Sequence, residues 1–138
     1  MSGDLNIIDE AYDYTTDQQE ALGPTLLAVP NPQFVYTSSP PLSADTGEIL
    51  YGLRERAEQM LKTGVDEALG YRDWGLVGDL DNLGVIDVDD HRLWAAANPA
   101  LCNGRLTIGK IAKLKKMLRS ARGFARECLG LWPVRQKS

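Results

Sequence analysis

Two short clusters in this chain carry side chains suited to phosphoryl chemistry. The first is Asp9-Glu10, placed where the apolar run Leu5–Ile8 stops. An aspartate at a strand tip can hold Mg²⁺, and the next acid can polarise an attacking water. Acids also follow strands simply to cap the next helix, so the pair alone is ambiguous. The second cluster is Thr37, Ser38 and Ser39, which follows the β-branched and aromatic run Gln33–Tyr36 and precedes Pro40 and Pro41. Such hydroxyls can sense a water or phosphate beside Glu10, or serve only as turn residues.

The elements that must position these groups are legible in outline. Thr16 and Gln19 have capping-box spacing and introduce helix formers from Gln18 to Leu27, broken near Gly23 and Pro24. Pro30, Asn31 and Pro32 then turn the chain into Gln33–Tyr36. Strand, helix and strand form a βαβ unit, which brings the two strands parallel and both clusters to one edge of the sheet. That layout is common to P-loop motor ATPases, helicases included.

Further along, Asp45 and Glu48 repeat the capping-box spacing ahead of a helix whose Ile49, Leu53, Ala57 and Met60 share one stripe. Tyr71–Val77 is expected as a third strand. The acidic stretch Asp79–Asp90 is expected as a long, mobile surface loop in which Asp89 or Asp90 caps a short helix ending before Pro99. A helix over Thr107–Arg119 turns Ile111, Leu114 and Leu118 inward, with Ile108 at the edge. Its Lys113, Lys115, Lys116 and Arg119 form a basic outer surface. Phe124, Leu129 and Trp132 make a second apolar cluster, and Pro133 opens a polar tail. The expected class is therefore α/β: a partial P-loop NTPase fold with a small parallel sheet and flanking helices, followed by a mainly helical subdomain.

Bulk properties narrow the function. The 138 residues are 43% hydrophobic and 25% charged, ordinary values for a soluble domain. No apolar run approaches the roughly 20 residues that span a bilayer, and the N-terminus has no signal pattern, so an intracellular protein is expected. Cys102 and Cys128 belong to no Cys/His cluster and read as free, largely buried thiols. A single histidine, His91, excludes multi-histidine metal sites and reads as a solvated residue early in a helix. Charge is unevenly placed. Up to Gly104 there are 18 acidic and 5 basic residues, a balance of −13. From Arg105 there are 10 basic and 1 acidic, a balance of +9, which leaves the net −4. A basic end of this kind attracts polyanions, although a charge run is often no more than a solvated helix face.

Asn6-Ile-Ile-Asp-Glu-Ala-Tyr12, Pro32-Gln-Phe-Val-Tyr-Thr-Ser-Ser-Pro40, Leu53-Arg-Glu-Arg-Ala57, Trp94-Ala-Ala-Ala-Asn-Pro-Ala-Leu101 and Gly123-Phe-Ala-Arg-Glu-Cys-Leu-Gly-Leu-Trp-Pro133 follow one another in that order. The ordered set resembles the large terminase subunits of actinobacterial tailed phages, over nearly the whole chain. The resemblance implies that Asp9 is the Walker B magnesium ligand, Glu10 the catalytic base, and Thr37, Ser38 and Ser39 the coupling motif between hydrolysis and DNA movement. It implies ATP and Mg²⁺ as cofactors. The implied partners are double-stranded DNA, other terminase segments or subunits, portal and small terminase, and the implied location is the cytoplasm of a bacterial host. Residues beyond Trp94 then match the linker between ATPase and nuclease.

The departures from the family matter as much. No G-x-x-x-x-G-K-[ST] loop occurs, since Gly104 and Gly109 are too isolated to serve, and no carboxylate-rich nuclease segment follows Pro133. Asn6 is a polar residue in a strand expected to be apolar. The expected organisation is residues 1–77 as the C-terminal part of an ATPase core and 78–138 as the acidic loop and helical linker, without the Walker A region or the nuclease domain. Such a chain is a prophage remnant or half of a split gene, inactive alone. A non-enzymatic DNA-binding or assembly module, with Lys113, Lys115, Lys116 and Arg119 on DNA, and a helicase fragment are the competing readings.

Overall fold

A computed structural model describes residues 5–65 and 68–135. The described residues form a mixed helix and strand structure, half helical, with one two-stranded parallel sheet and five α-helices among them. The chain divides into two compact units, one through Tyr71 and the other from Arg72.

The first unit is built on β1 (Leu5–Ile8) and β2 (Gln33–Tyr36), which pair in parallel with Leu5 opposite Gln33 and Ile8 opposite Tyr36. Between them, α1 (Thr16–Leu22) runs into a 3₁₀ segment over Gly23–Ala28, so the helix breaks where Gly23 and Pro24 predict it. The capping box is one residue earlier than the spacing suggests: Thr15 accepts from the Gln18 amide, and the Gln18 side chain accepts from the Thr15 amide. Thr16 instead donates amide and hydroxyl to Glu48 Oε1, at 3.1 and 3.3 Å. That contact explains a second displacement. Glu48 is the first residue of α2 (Glu48–Thr63), and Gly47, with φ of 72°, occupies the N-cap that Asp45 was expected to fill. A Cβ at Gly47 would overlap the Pro41 ring, so the tight turn onto α2 requires glycine. The apolar stripe of α2 is only half-buried, and Leu50 and Tyr51 are its buried residues.

The two faces of the small sheet differ. Asn6, Ile8, Phe34 and Tyr36 lie on the half-buried face, where the Tyr36 hydroxyl pairs with the Gln19 amide and the Phe34 and Tyr36 rings stack at 6.0 Å. Burial also raises the Tyr14 hydroxyl pKa above its usual value, with a smaller contribution from Tyr36. On the other face Leu5, Ile7 and Val35 are exposed, Ile7 by 63%. The strand is therefore not buried on both sides as its sequence suggests, because one crossover helix covers only one face of a parallel pair.

The second unit holds the larger core: Leu80, Trp94, Ile111, Phe124, Ala125, Cys128, Leu129 and Leu131. Tyr71–Val77 does not form a strand. Gly75 there crosses Gly130 so closely that a Cβ would overlap the Gly130 carbonyl, and the Leu76 amide donates to Leu129 O at 2.9 Å. The segment is thus pinned to the end of a helix and not to a sheet edge. In the acidic loop, Leu80 is 1% exposed and its amide donates to Trp132 O at 3.0 Å, so the loop contributes to the core.

Helix α3 (His91–Ala97) starts from an Asp90 cap. The Arg92 side chain and amide both donate to Asp90 and lower its carboxyl pKa, and His91 is exposed at the first helical position. Asn98 then ties α3 to the last helix, its Nδ2 donating to Trp94 O and Cys128 O at 2.9 and 2.8 Å. Helix α4 (Ile108–Leu118) is capped by Thr107, and α5 (Ala121–Leu129) by Ser120. Pro133 is fully buried, so the polar tail begins later than expected. Cys102 is exposed, contrary to its expected burial. Burial raises the Cys128 thiol pKa, with Glu127 adding to the shift. No helix among the described residues is long and apolar enough to cross a membrane.

Candidate functional site

The parallel ladder continues one step past the strands. Ile8 O accepts from the Thr37 amide at 3.0 Å, and Thr37 O accepts from the Ala11 amide at 3.1 Å. Because the strands are in register, Asp9 and Thr37 emerge side by side at one edge of the sheet. The Thr37 hydroxyl donates to Asp9 Oδ1 at 2.7 Å, and the Glu10 amide donates to the same oxygen at 2.9 Å. One carboxylate oxygen is thereby fixed, on a side chain that is exposed to solvent. Fixing a carboxylate through an outer hydrogen bond is the usual way to orient a metal ligand.

Ser38 and Ser39 are used differently. The Ser38 hydroxyl accepts from the Tyr12 amide at 2.9 Å and donates to Ser39 O at 2.6 Å, joining the end of β2 to the 3₁₀ turn Ala11–Asp13. Only Thr37 of the three sequence-predicted hydroxyls meets Asp9. Glu10 has φ of 53° and ψ of 47°, a left-handed conformation rare for a residue with a Cβ and costing on the order of 1 kcal/mol. That conformation turns the chain sharply at the strand tip and leaves the Glu10 side chain exposed beside Asp9.

Thr37→Val keeps the shape and β-branching of residue 37 but removes the donor to Asp9. Both partners are exposed, so Asp9 regains water and the expected loss is about 1 kcal/mol of unit stability. Urea unfolding followed by far-UV circular dichroism checks it. An unchanged midpoint would mean that the hydrogen bond contributes nothing in solution.

Among the described residues no group of three His, Cys, Asp or Glu side chains could hold a metal ion. A single oriented carboxylate nevertheless fits Mg²⁺, which keeps several waters and binds through one or two carboxylates together with substrate phosphates. Asp9 would hold it, and the cation would supply charge neutralisation on phosphate oxygens. Among the described residues a phosphate cradle is not found. The nearest sequence, Gly104-Arg-Leu-Thr-Ile-Gly-Lys-Ile111, enters α4 from a 3₁₀ turn and not from a strand. The Lys110 amide is already bonded to Thr107 Oγ1, and Ile111, at the position of the motif's Ser or Thr, is a core residue 3% exposed.

The four sequence-predicted basic residues do not form one surface. Lys113 and Lys116 are exposed on α4. Arg119 ends the helix in a left-handed conformation, φ 60°. Lys115 is half-buried, its ammonium 2.9 Å from the exposed Asp89 and 5.8 Å from the centroid of the Phe124 ring. Leu114, expected inward, is exposed instead. Lys110, overlooked in the sequence, joins Lys113 and Lys116 around the 77% exposed Met117, and its position three residues before Lys113 was the signal. Comparison with protein-family models, curated proteins and solved structures returned no match.

Proposed function

We propose that this chain is part of a P-loop motor ATPase that packages viral DNA, a segment of a phage terminase large subunit resident in the bacterial cytoplasm. The observation that carries the reading is the 2.7 Å hydrogen bond from Thr37 to Asp9 across two parallel strand tips, with Glu10 turned outward beside it. A metal-binding carboxylate, an adjacent free carboxylate and a hydroxyl on the neighbouring strand are the groups that nucleotide hydrolysis and its coupling to movement require. Asp9 is the magnesium ligand, Glu10 orients water, and Thr37 transmits a change at Asp9 to β2, while Ser38 braces the turn. ATP phosphates need a cradle of backbone amides and a lysine that is not found among the described residues, so another terminase segment or subunit provides it. Double-stranded DNA, portal and small terminase are the further partners.

The test supplies a terminase-type P-loop segment by fusion ahead of β1 and measures nucleotide affinity with and without Mg²⁺. Asp9→Asn is expected to weaken binding at least tenfold with Mg²⁺ and, by removing one repelling charge, to leave metal-free binding equal or tighter. Equal affinities in both conditions would remove Asp9 from the metal site and the reading with it.

A second reading, a non-enzymatic assembly or DNA-binding module, is favoured by one observation: the unit from Arg72 has its own core and an exposed basic face on α4.

A further inference from the structure

The five basic residues from Lys110 to Arg119 fall into two groups. Lys115 is half-buried and pairs with Asp89 at 2.9 Å. Lys110, Lys113, Lys116 and Arg119 are all exposed, and among the described residues none of them forms an ion pair. These four recur at every third position, which on a helix makes them neighbours along one oblique row, each about 4.5 Å further along the axis than the last. The end of the row is unusual in its backbone. Helices α2 and α5 both end on a left-handed glycine, Gly64 at φ 72° and Gly130 at φ 64°. Helix α4 ends in the same conformation on Arg119, φ 60°, where a side chain strains the backbone. A cation is favoured at a helix C-terminus, but Lys115 and Lys116 already supply charge in the last turn of α4.

We propose that the row of Lys110, Lys113, Lys116 and Arg119 is a sequence-independent contact for the phosphate backbone of duplex DNA, and that Lys115 is not part of it. Helix α4 carries no aromatic side chain on which a single-stranded base could stack. Its apolar side is committed to the core through Ile111, 3% exposed, and is not available to a bilayer. What remains is a line of point charges, which suits phosphates and carries no information about base edges. A duplex presents one negative charge per roughly 1.7 Å of its axis, so a row about 14 Å long faces several phosphates at once. The proposal rests on the reading of duplex DNA as a partner of this chain and assigns the contact to particular cations.

The experiment measures binding of the full chain to a mixed-sequence DNA duplex over a range of salt concentrations, and reads the slope of log K against log salt. Each phosphate that a cation neutralises contributes about 0.9 to that slope, so Lys110→Gln, Lys113→Gln and Lys116→Gln together should flatten it by roughly 2.7, and by roughly 3.6 with Arg119→Gly added. Lys113→Gln alone should flatten it by about 0.9, whereas Lys115→Gln removes the same single charge and should leave it unchanged. Arg119→Gly should weaken DNA binding and yet leave the urea midpoint of the unit equal or higher, since glycine relieves the left-handed strain. An arginine with only a structural role would not separate the two effects. Equal flattening by Lys115→Gln and Lys113→Gln would mean that net charge alone is read, and would overturn the proposal. Salt-dependent binding whose slope survives all four substitutions overturns the α4 contact and keeps duplex DNA as a partner. No duplex binding by the unaltered chain at low salt, or binding to phosphatidylserine and phosphatidylcholine vesicles in its place, overturns both. None of these results bears on Asp9, which the magnesium-dependent nucleotide affinity tests separately.

Discussion

Leu80→Ala is expected to destabilise the second unit by about 2–5 kcal/mol, although the residue lies in an acidic loop. Leu80 is 1% exposed and belongs to the same cluster as Phe124, Leu129 and Leu131, which are fully buried. Truncation leaves a cavity among α5, α3 and the segment after α5, and it weakens the anchor that the Leu80 amide makes to Trp132 O. A unit of this size has a total stability of about 3–10 kcal/mol, so the loss is enough to unfold a large share of the molecules at moderate urea. All three tryptophans, Trp74, Trp94 and Trp132, lie beyond Arg72, so tryptophan fluorescence follows this unit separately from the one through Tyr71. Val77→Ala and Val85→Ala in the same region should shift the midpoint hardly at all, since those side chains are 95% and 96% exposed. Equal midpoints for Leu80→Ala and Val85→Ala would show that the loop is peripheral to the core in solution.

Leu80 also shows where sequence reasoning stops. Its neighbours Asp79 and Asp81 make the stretch look like solvent-facing loop, and no periodicity marks one leucine as core. Burial here depends on backbone bonds to residues about fifty positions away, which no local pattern encodes. The same holds for Tyr71–Val77: its apolar, aromatic composition is right for a strand, but the Gly75–Gly130 crossing and the bond to Leu129 O take the place of a sheet edge. Lys115 was misplaced for a related reason. Helical periodicity puts it near Ile111 and Leu118, and the charge argued for the open outer surface, yet the ammonium pairs with Asp89 beside the Phe124 ring and the side chain is half-buried.

What was legible is the part set by short-range rules. Strand ends are marked by Asp9 and Thr37, the intervening helix forces the parallel arrangement, and Pro32 fixes the start of β2. Those rules bring Asp9 and Thr37 together without further information. They do not say that Ser38 binds the Tyr12 amide or that Glu10 adopts a positive φ, because both follow from how the 3₁₀ turn Ala11–Asp13 meets the end of β2.

Glu10→Gln should lower magnesium-dependent ATP hydrolysis by about 100- to 10,000-fold once a P-loop segment is supplied, and it should leave ATP binding intact. The substitution preserves the size and exposure of the side chain, so the turn at the strand tip is unchanged. On the proposed reading, what it removes is the carboxylate that would draw a proton from the attacking water. Asp9 cannot substitute, since its Oδ1 already accepts from Thr37 and from the Glu10 amide, and its remaining oxygen is the one available to a cation. The 138-residue chain by itself should release no phosphate above background. Two adjacent carboxylates repel an anionic nucleotide, and positioning by backbone amides and a lysine accounts for most of the catalysis of phosphoryl transfer. Phosphate release by the chain alone that vanishes in Glu10→Gln would point to a phosphate site outside the P-loop arrangement. Full turnover by the fused Glu10→Gln enzyme would place the base elsewhere, leaving the left-handed Glu10 as a feature of the turn alone.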